Sequence, residues 1–441
     1  MQQCFRGILP LLAMALFMAG CVASGNISGT TNQSPSMSWI PGKINEDSGR
    51  TDAFMEGLMK KYPQYFDSVL NHRNDWNVQI IYTKVDRGAN GIPALHNYYF
   101  NVDPSRYFYP ASTVKFPVSL LALQRLNELK EKGINKYSSM ITETAFSGQT
   151  AVYNDPNTPD GKPTIANYIK KILMVSDNDA YNRLYEFLGQ QYINDELHKK
   201  GFEDVQLLHR LQISLSEEEN RHTNPVKFLD SAGKIIYDQP AQYNAQQYAM
   251  RRDALGTSYY SGSKLVNEPM NFSKKNRISL EDLHNILIGL VFPNKVHANE
   301  RFNLTEDDRR FVFKNMSQFP QESAWPSYDS SYHDAYCKFI LFGSDTAARI
   351  KNIRSFNKPG DAYGQMLDVA YIVDYDKKIE FFLSAVIYCN SDGIINDDKY
   401  DYKTIGLPFM KHIGEAVYDY ELSRERKIIP DFSNFKFQYD K

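Results

Sequence analysis

Cysteine is scarce in this chain, with four in 441 residues. Cys4 and Cys21 lie at the extreme N-terminus, so only Cys337 and Cys389 remain for the body of the protein. That excludes a disulfide-dense scaffold and leaves at most one bridge, with two separate buried thiols as the alternative. No Cys/His grouping has metal-ligand spacing, so no metal and no other cofactor is called for. Charge of either sign is also nearly absent in net terms, at −2, and there is no long basic run. Nucleic acid is therefore excluded as a partner class. Past the first residues, no apolar run is long enough to span a bilayer, and no internal repeat is visible.

The first residues are the exception in apolar length. Arg6 is followed by an apolar run from Gly7 to Ala19, too short for a membrane span and of the right length for an export signal. It ends in "FMAGC", and small residues before a cysteine resemble a bacterial lipobox. Residues 1–20 are read as a lipoprotein signal peptide and Cys21 as the lipidated residue. Residues 21–50, rich in Gly, Ser, Asn and Thr, read as a flexible polar tether. The expected location is the bacterial cell envelope, lipid-anchored on the extracytoplasmic side, with the membrane contacted through the anchor.

The body has a globular composition, 42% hydrophobic and 23% charged. Phe54, Leu58, Tyr62, Tyr65, Phe66 and Val69 recur at helical spacing. Val78 to Val85 and Asn97 to Val102 are strand-like, with "DRGANG" as a turn between them. A helix begins near "YPASTVKFPVSLLAL" (109–123) and stops by Gly133, with Pro117 in tension with it. Thr164 can cap a helix that reaches Ser176, and another ends at Gly189. The segment of about 225–275 has hairpin-like pieces, and Ser279 caps a helix to Val291. Met366–Tyr371 and Ile379–Tyr388 read as strands, and Pro408–Leu422 as a helix. Strands at both ends around a helical middle predict one α+β domain over 51–425, its antiparallel sheet completed by both ends of the chain. Residues 426–441 follow as a C-terminal tail. The domain is expected to act as a monomer.

Ser112 and Lys115 form one of five Ser-x-x-Lys spacings. Taken alone, such a spacing is an ordinary helix face. A serine hydroxyl is a poor nucleophile without a neighbouring base, and residues three apart on a helix share a face. Lysine is a base only when neutral. Lowering its pKa from about 10.4 to about 7–8 costs roughly 4 kcal/mol, which burial or a second cation can supply. The rest of the set follows in order. Ser176-Asp177-Asn178 offers a proton-relaying hydroxyl and an amide that can bind both a substrate carbonyl and the lysine. Lys358-Pro359-Gly360 offers the second cation.

S-x-x-K, S-D-N and a late Lys-x-Gly in this order resemble the penicillin-recognising serine acyl-enzyme superfamily, most closely the class A β-lactamase-like serine hydrolases. The fold implied is the β-lactamase/transpeptidase fold. The resemblance implies Ser112 as the acylated nucleophile and Lys115 as its activating partner. Ser176 would be the proton shuttle, Asn178 would bind substrate and steady Lys115, and Lys358 would hold the substrate carboxylate. Gly360 and Asp361 complete the substrate-binding strand, with the backbone N–H groups of Ser112 and Asp361 as the oxyanion hole. The substrate would be a small molecule or peptide, either a β-lactam or a cell-wall peptide.

Two departures matter. Proline stands at 359 where the family has Thr or Ser, and Asp361 adds negative charge where an anionic substrate would sit. The family also needs a deacylating glutamate with an Asn four residues later, and "LLHRLQISLSEEENRHTNPVKF" (207–228) has no such pair. Residues four beyond Glu217, Glu218 and Glu219 are Arg221, His222 and Thr223. An Asn-based alignment puts Asn220 and Asn224 in the two positions, and an amide is no general base. The reading that follows is acylation at Ser112 with slow deacylation. Its alternatives are a D-amino-acid peptidase or transpeptidase-like enzyme and a binding lipoprotein that kept the fold.

Overall fold

Strands from opposite ends of the chain meet in one sheet. In the computed structural model, which describes residues 49–88, 91–343, 345 and 352–441, these are β1 (Gln79–Arg87), β2 (Pro93–Phe100), β3 (Ile353–Ala362), β4 (Gln365–Asp374) and β5 (Ile379–Tyr388). Their spatial order is β3-β4-β5-β1-β2, antiparallel throughout. The α+β expectation therefore holds. The signal peptide, Cys21 and residues 21–48 of the tether lie outside the described residues.

Every residue of β4 and β5 is buried. Helices cover the sheet on both faces, which is why these strands read as nearly continuous apolar runs rather than as alternation. Neighbouring residues of β1 show the two faces. Thr83 meets the helix Leu280–Val291 through His284, whose Nε2 is 2.7 Å from Thr83 Oγ1 and whose Nδ1 is 2.7 Å from Ser384 Oγ. Tyr82 points the other way and donates to Glu421 on the helix Leu407–Ser423.

Three boundaries differ from the sequence reading. The periodic run from Phe54 to Val69 is two helices, Ala53–Met59 and Pro63–Asn71, because Pro63 starts a new helix. The second strand begins at Pro93 rather than Asn97. It is an edge strand, where a missing ladder donor is tolerated. The helix after Ser112 starts at Lys115, preceded by the 3-10 turn Ala111–Val114. This places Pro117 in the first helical turn, where its absent N–H would have had no intrahelical partner. The Lys115–Glu128 helix passes through the short turn Lys130–Lys132 to Gly133, which takes φ +76° as the stop.

The Lys115–Glu128 helix is buried on nearly all sides, packed against the helices Ile165–Val175 and Asn178–Leu188. From Phe116 to Leu123 it is accordingly apolar on most sides instead of along one stripe, with Arg125, Asn127 and Glu128 at its less buried end. Within the 225–275 segment, Val226–Leu229 pairs with Ile235–Gln239 and with Ser139–Thr142. Ser258–Ser261 pairs with Lys264–Val266 and, in parallel, with Ile394–Ile395. Cys337 and Cys389 are both buried and free, which settles the pairing left open by the sequence. The tail docks on the body. Phe432 and Phe435 are buried, and Asp440 accepts from Lys170 Nζ at 2.8 Å and Lys314 Nζ at 3.2 Å.

Candidate active site

The turn that carries Ser112 is held in an uncommon backbone state. Ala111 takes φ +46°, a left-handed conformation that a non-glycine residue adopts only where its surroundings impose it. Thr113 Oγ1 donates to the Pro110 carbonyl at 2.6 Å and braces the turn. β3 presses on the same turn from the side. A Cβ on Gly360 would stand 2.7 Å from Ser112 N and 3.0 Å from Thr113 N. Only glycine lets the strand approach the nucleophile this closely.

Lys115 sits directly beneath Ser112 and is fully buried. Its Nζ lies 2.9 Å from Ser112 Oγ, 2.7 Å from Asn178 Oδ1 and 3.1 Å from Ser176 Oγ, and it also bonds the Ser176 carbonyl. An ammonium has three protons, a neutral amine two and a lone pair. The Asn178 and Ser176 carbonyl oxygens can only accept. They can take the two protons of a neutral amine, which leaves its lone pair for the Ser112 or the Ser176 hydroxyl, at 2.9 and 3.1 Å. Burial holds the Lys115 pKa well below the ordinary lysine value, and the Lys358 cation lowers it further.

Ser176 reaches this position because it ends the Ile165–Val175 helix in the left-handed conformation, at φ 60° and ψ 38°. Asp177 then caps the next helix, its carboxylate accepting from Ala180 N at 2.7 Å, and this sets Asn178 at that helix's first position. Lys358 Nζ donates to Ser176 Oγ at 2.8 Å and to the Pro359 carbonyl at 2.7 Å. The Ser176 hydroxyl thus lies between the two amines. Complete burial pushes the Lys358 pKa down to about 8. The sequence set Ser112, Lys115, Ser176, Asn178 and Lys358 therefore converges in space.

β3 is an edge strand, so Pro359 fits without breaking a ladder that another strand needs. Asp361 is the strand's first exposed residue after a buried run from Ser355 to Gly360. Desolvation by the surrounding protein raises its carboxyl pKa, against the pull of Lys358 and Lys115.

The glutamates of 217–219 are occupied elsewhere. Glu217 pairs with Lys274 at 2.6 Å and Glu218 with His222 at 3.3 Å. Glu219 closes a capping box with Ser216 and accepts from Ser147 Oγ at 3.1 Å. Asn220 and Asn224 are structural amides. Asn220 Oδ1 accepts from Arg210 N at 2.9 Å, and Asn224 Nδ2 donates to the Glu143 carbonyl at 2.6 Å. The member of this segment that bonds Asn178 is Gln212, whose Oε1 accepts from Asn178 Nδ2 at 2.7 Å.

Sequence reasoning passed over the stretch 328–338. Tyr328, Tyr332 and Tyr336 form a ladder with ring centroids 5.1 and 4.9 Å apart. Their four-residue spacing was the available signal, though the segment is turns and not helix. Cys337, between Tyr336 and Lys338, lies within the field of Lys115 and Lys358. Lys338 is itself buried and holds β3 from behind, donating to the Ser355 carbonyl at 3.1 Å and Asn357 Oδ1 at 2.8 Å. Asp368 completes that support by accepting the Phe339 and Ile340 N–H groups at 3.1 Å each.

The model of the Beta-lactamase2 family, described as "Beta-lactamase enzyme family", matches residues 64–420. Solved structures similar to this chain include a beta-lactamase from Chitinophaga pinensis DSM 2588, at 13% identity and TM-score 0.44, covering 82% of this chain and 99% of that one. A class A beta-lactamase from Clostridium kluyveri DSM 555 is 14% identical with TM-score 0.43, covering 81% and 98%. A beta-lactamase from Desulfarculus baarsii DSM 2075 is 13% identical with TM-score 0.43, covering 83% and 97%. No curated protein matches the chain.

Proposed function

Because the chain belongs to the Beta-lactamase enzyme family, we propose that it is a serine hydrolase that cleaves an amide through a covalent acyl-enzyme at Ser112. The observation that carries this reading is the Lys115 amine, buried and 2.9 Å from Ser112 Oγ, with two pure acceptors placed to take the protons of its neutral form. Lys115 takes the Ser112 proton as Oγ forms a bond to the substrate carbonyl carbon. The backbone N–H groups of Ser112 and Asp361 would receive the oxyanion. On collapse the C–N bond breaks, and the leaving nitrogen takes a proton through Ser176. Lys358 holds the Ser176 hydroxyl and keeps the local field positive. Water then releases the acyl group. No glutamate of 217–219 is free to activate that water, so the adduct is proposed to be long-lived. A location at the cell envelope belongs to the same proposal and rests on residues 1–21.

The test is intact mass over time after mixing the protein with a penicillin, beside Ser112→Ala. A slowly decaying adduct of one penicillin mass, absent from the alanine variant, is the expected result. No adduct, together with no turnover of a chromogenic β-lactam, would overturn the reading as applied to β-lactams. A second reading, peptidase or transpeptidase-like action on cell-wall peptides, is favoured by the glutamates of 217–219 being engaged elsewhere, which leaves β-lactam turnover without its deacylating base. Acylation by a D-Ala-terminated thioester without acylation by penicillin would select it.

A further inference from the structure

Three consecutive residues run along one helix beside the site. Arg210, Leu211 and Gln212 meet Glu186, Asn182 and Asn178 in turn, positions four apart and therefore on one face of the helix Asn178–Leu188. Arg210 Nε lies 3.2 Å from Glu186 Oε1. Leu211 N donates to Asn182 Oδ1 at 2.8 Å, and the Leu211 carbonyl accepts from Asn182 Nδ2 at 3.0 Å. Gln212 Oε1 then accepts from Asn178 Nδ2 at 2.7 Å. Arg210, Leu211, Asn182 and Glu186 are buried, whereas Gln212 is exposed. Gln212 also takes φ +59°, a left-handed state that suits glycine. Packing asks for no side chain at such a position, and among the described residues this side chain makes no other hydrogen bond. A strained residue whose one contact is a member of the acyl-transfer set points to a role in that set.

Asn178 Oδ1 lies 2.7 Å from Lys115 Nζ. As an ammonium, Lys115 only donates, and it alone fixes that oxygen toward itself. As the neutral amine it also carries a lone pair. A reversed Asn178 amide can then donate an Nδ2–H to the amine and take the lone pair away from the serine hydroxyls. Gln212 Oε1 opposes that reversal, because it would bring two carbonyl oxygens together unless the Gln212 amide reversed as well. Resting on the acyl-enzyme reading above, we propose that Gln212 is a positioning residue for acylation. It holds the Asn178 amide with Oδ1 on Lys115, and so keeps the Lys115 lone pair for the serine hydroxyls. Its action runs through Asn178 and not through contact with the reacting atoms.

The experiment uses the full chain in excess over either of two probes, benzylpenicillin or a D-Ala-terminated thioester, so that probe consumption reads acylation even where the adduct decays. Varying the protein concentration separates the first-order acylation constant from the half-saturating concentration. Gln212→Met, similar in length but without the acceptor, is expected to lower the first-order constant at least fivefold. Gln212→Glu presents acceptors only and cannot reverse, so it is expected to keep at least half of the wild-type constant at its best pH. Gln212→Gly relaxes the left-handed turn. It should melt no lower than the wild type and still lose the constant at least fivefold, and it serves if Gln212→Met does not fold. A loss below fivefold in folded Gln212→Met or Gln212→Gly overturns the positioning role alone. So does a Gln212→Glu constant that falls as far as that of Gln212→Met, or a Gln212→Gly protein that melts lower in step with its loss. No consumption of either probe and no Ser112 adduct in the wild type overturns the acyl-enzyme reading and the positioning role with it.

Discussion

Two regions bear on the same serine and are built in opposite ways. Around Ser112, three separate chain segments spend buried polar groups on one another. Lys115, Ser176, Asn178 and Lys358 are linked by bonds of 2.7 to 3.1 Å. The segment 207–228 also has many polar groups, but apart from Gln212, which meets Asn178, those weighed as its catalytic candidates are turned on scaffold. Its glutamates cap a five-residue helix or pair with surface partners, and its asparagines bond backbone. Burying a lysine without a carboxylate against it is expensive, so the first region carries a cost that packing alone would not justify. The second carries less: it buries His209 Nε2 and Asn224 Oδ1 without partners and holds Gln212 at φ +59°, but it buries no lysine. A buried lysine set against the Ser112 hydroxyl, with no carboxylate similarly poised in 207–228, is what the proposed capture without ready release would require.

The largest effect should follow from removing the base. Lys115→Met fills the same buried channel without an amine. Acylation of Ser112 by any substrate that labels the wild type is expected to fall about 10³-fold, within the range for a positioned general base. Single-turnover mass measurements at neutral pH check this. A loss of less than about tenfold would place the base elsewhere and remove the contrast between the two regions.

A second effect is a pH limb. Lys358 has a folded pKa of about 8, so its charge is present below that value and is lost as pH rises through it. Acylation is expected to decline with a midpoint near 8, and Lys358→Arg, which keeps its charge, should shift that limb upward. Stability moves the other way. Between about 8 and the ordinary lysine value the unfolded chain binds more protons at this position than the folded one, so the contribution to stability rises with pH across that window. An activity decline that tracked unfolding instead would show as a fall in melting temperature over the same range.

Much of the region around Ser112 could be read from residue order. Ser112, Lys115, Ser176, Asn178 and Lys358 were identifiable because their roles are local in type: a short spacing at a helix start, a relay turn at a helix end, a lysine on an edge strand. The sheet was legible for a similar reason, since doubly covered strands leave long apolar runs. Tertiary contacts were not. Nothing in the sequence places Gln212 on Asn178 or Lys338 behind β3, because each depends on how turns without periodicity fold back. The split at Pro63 and the early start at Pro93 were missed where proline's position, at a helix start and on an edge strand, mattered more than its presence.

The smallest effect is the sharpest on the comparison. If the segment 207–228 is scaffold, replacing Glu217, Glu218 and Glu219 together by glutamine should change the decay of the Ser112 adduct by less than about twofold. Glutamine keeps the capping box at Glu219, and the pairs to Lys274 and His222 are exposed ones worth about 1 kcal/mol or less each. The variant is therefore expected to stay folded, so decay of the adduct, followed by mass after removing free substrate, reads chemistry and not stability. A tenfold slower decay would mean that one of these carboxylates leaves its surface partner once the acyl group is in place. The two regions would then differ in readiness and not in kind, with release gated by movement of the helix Glu217–Arg221.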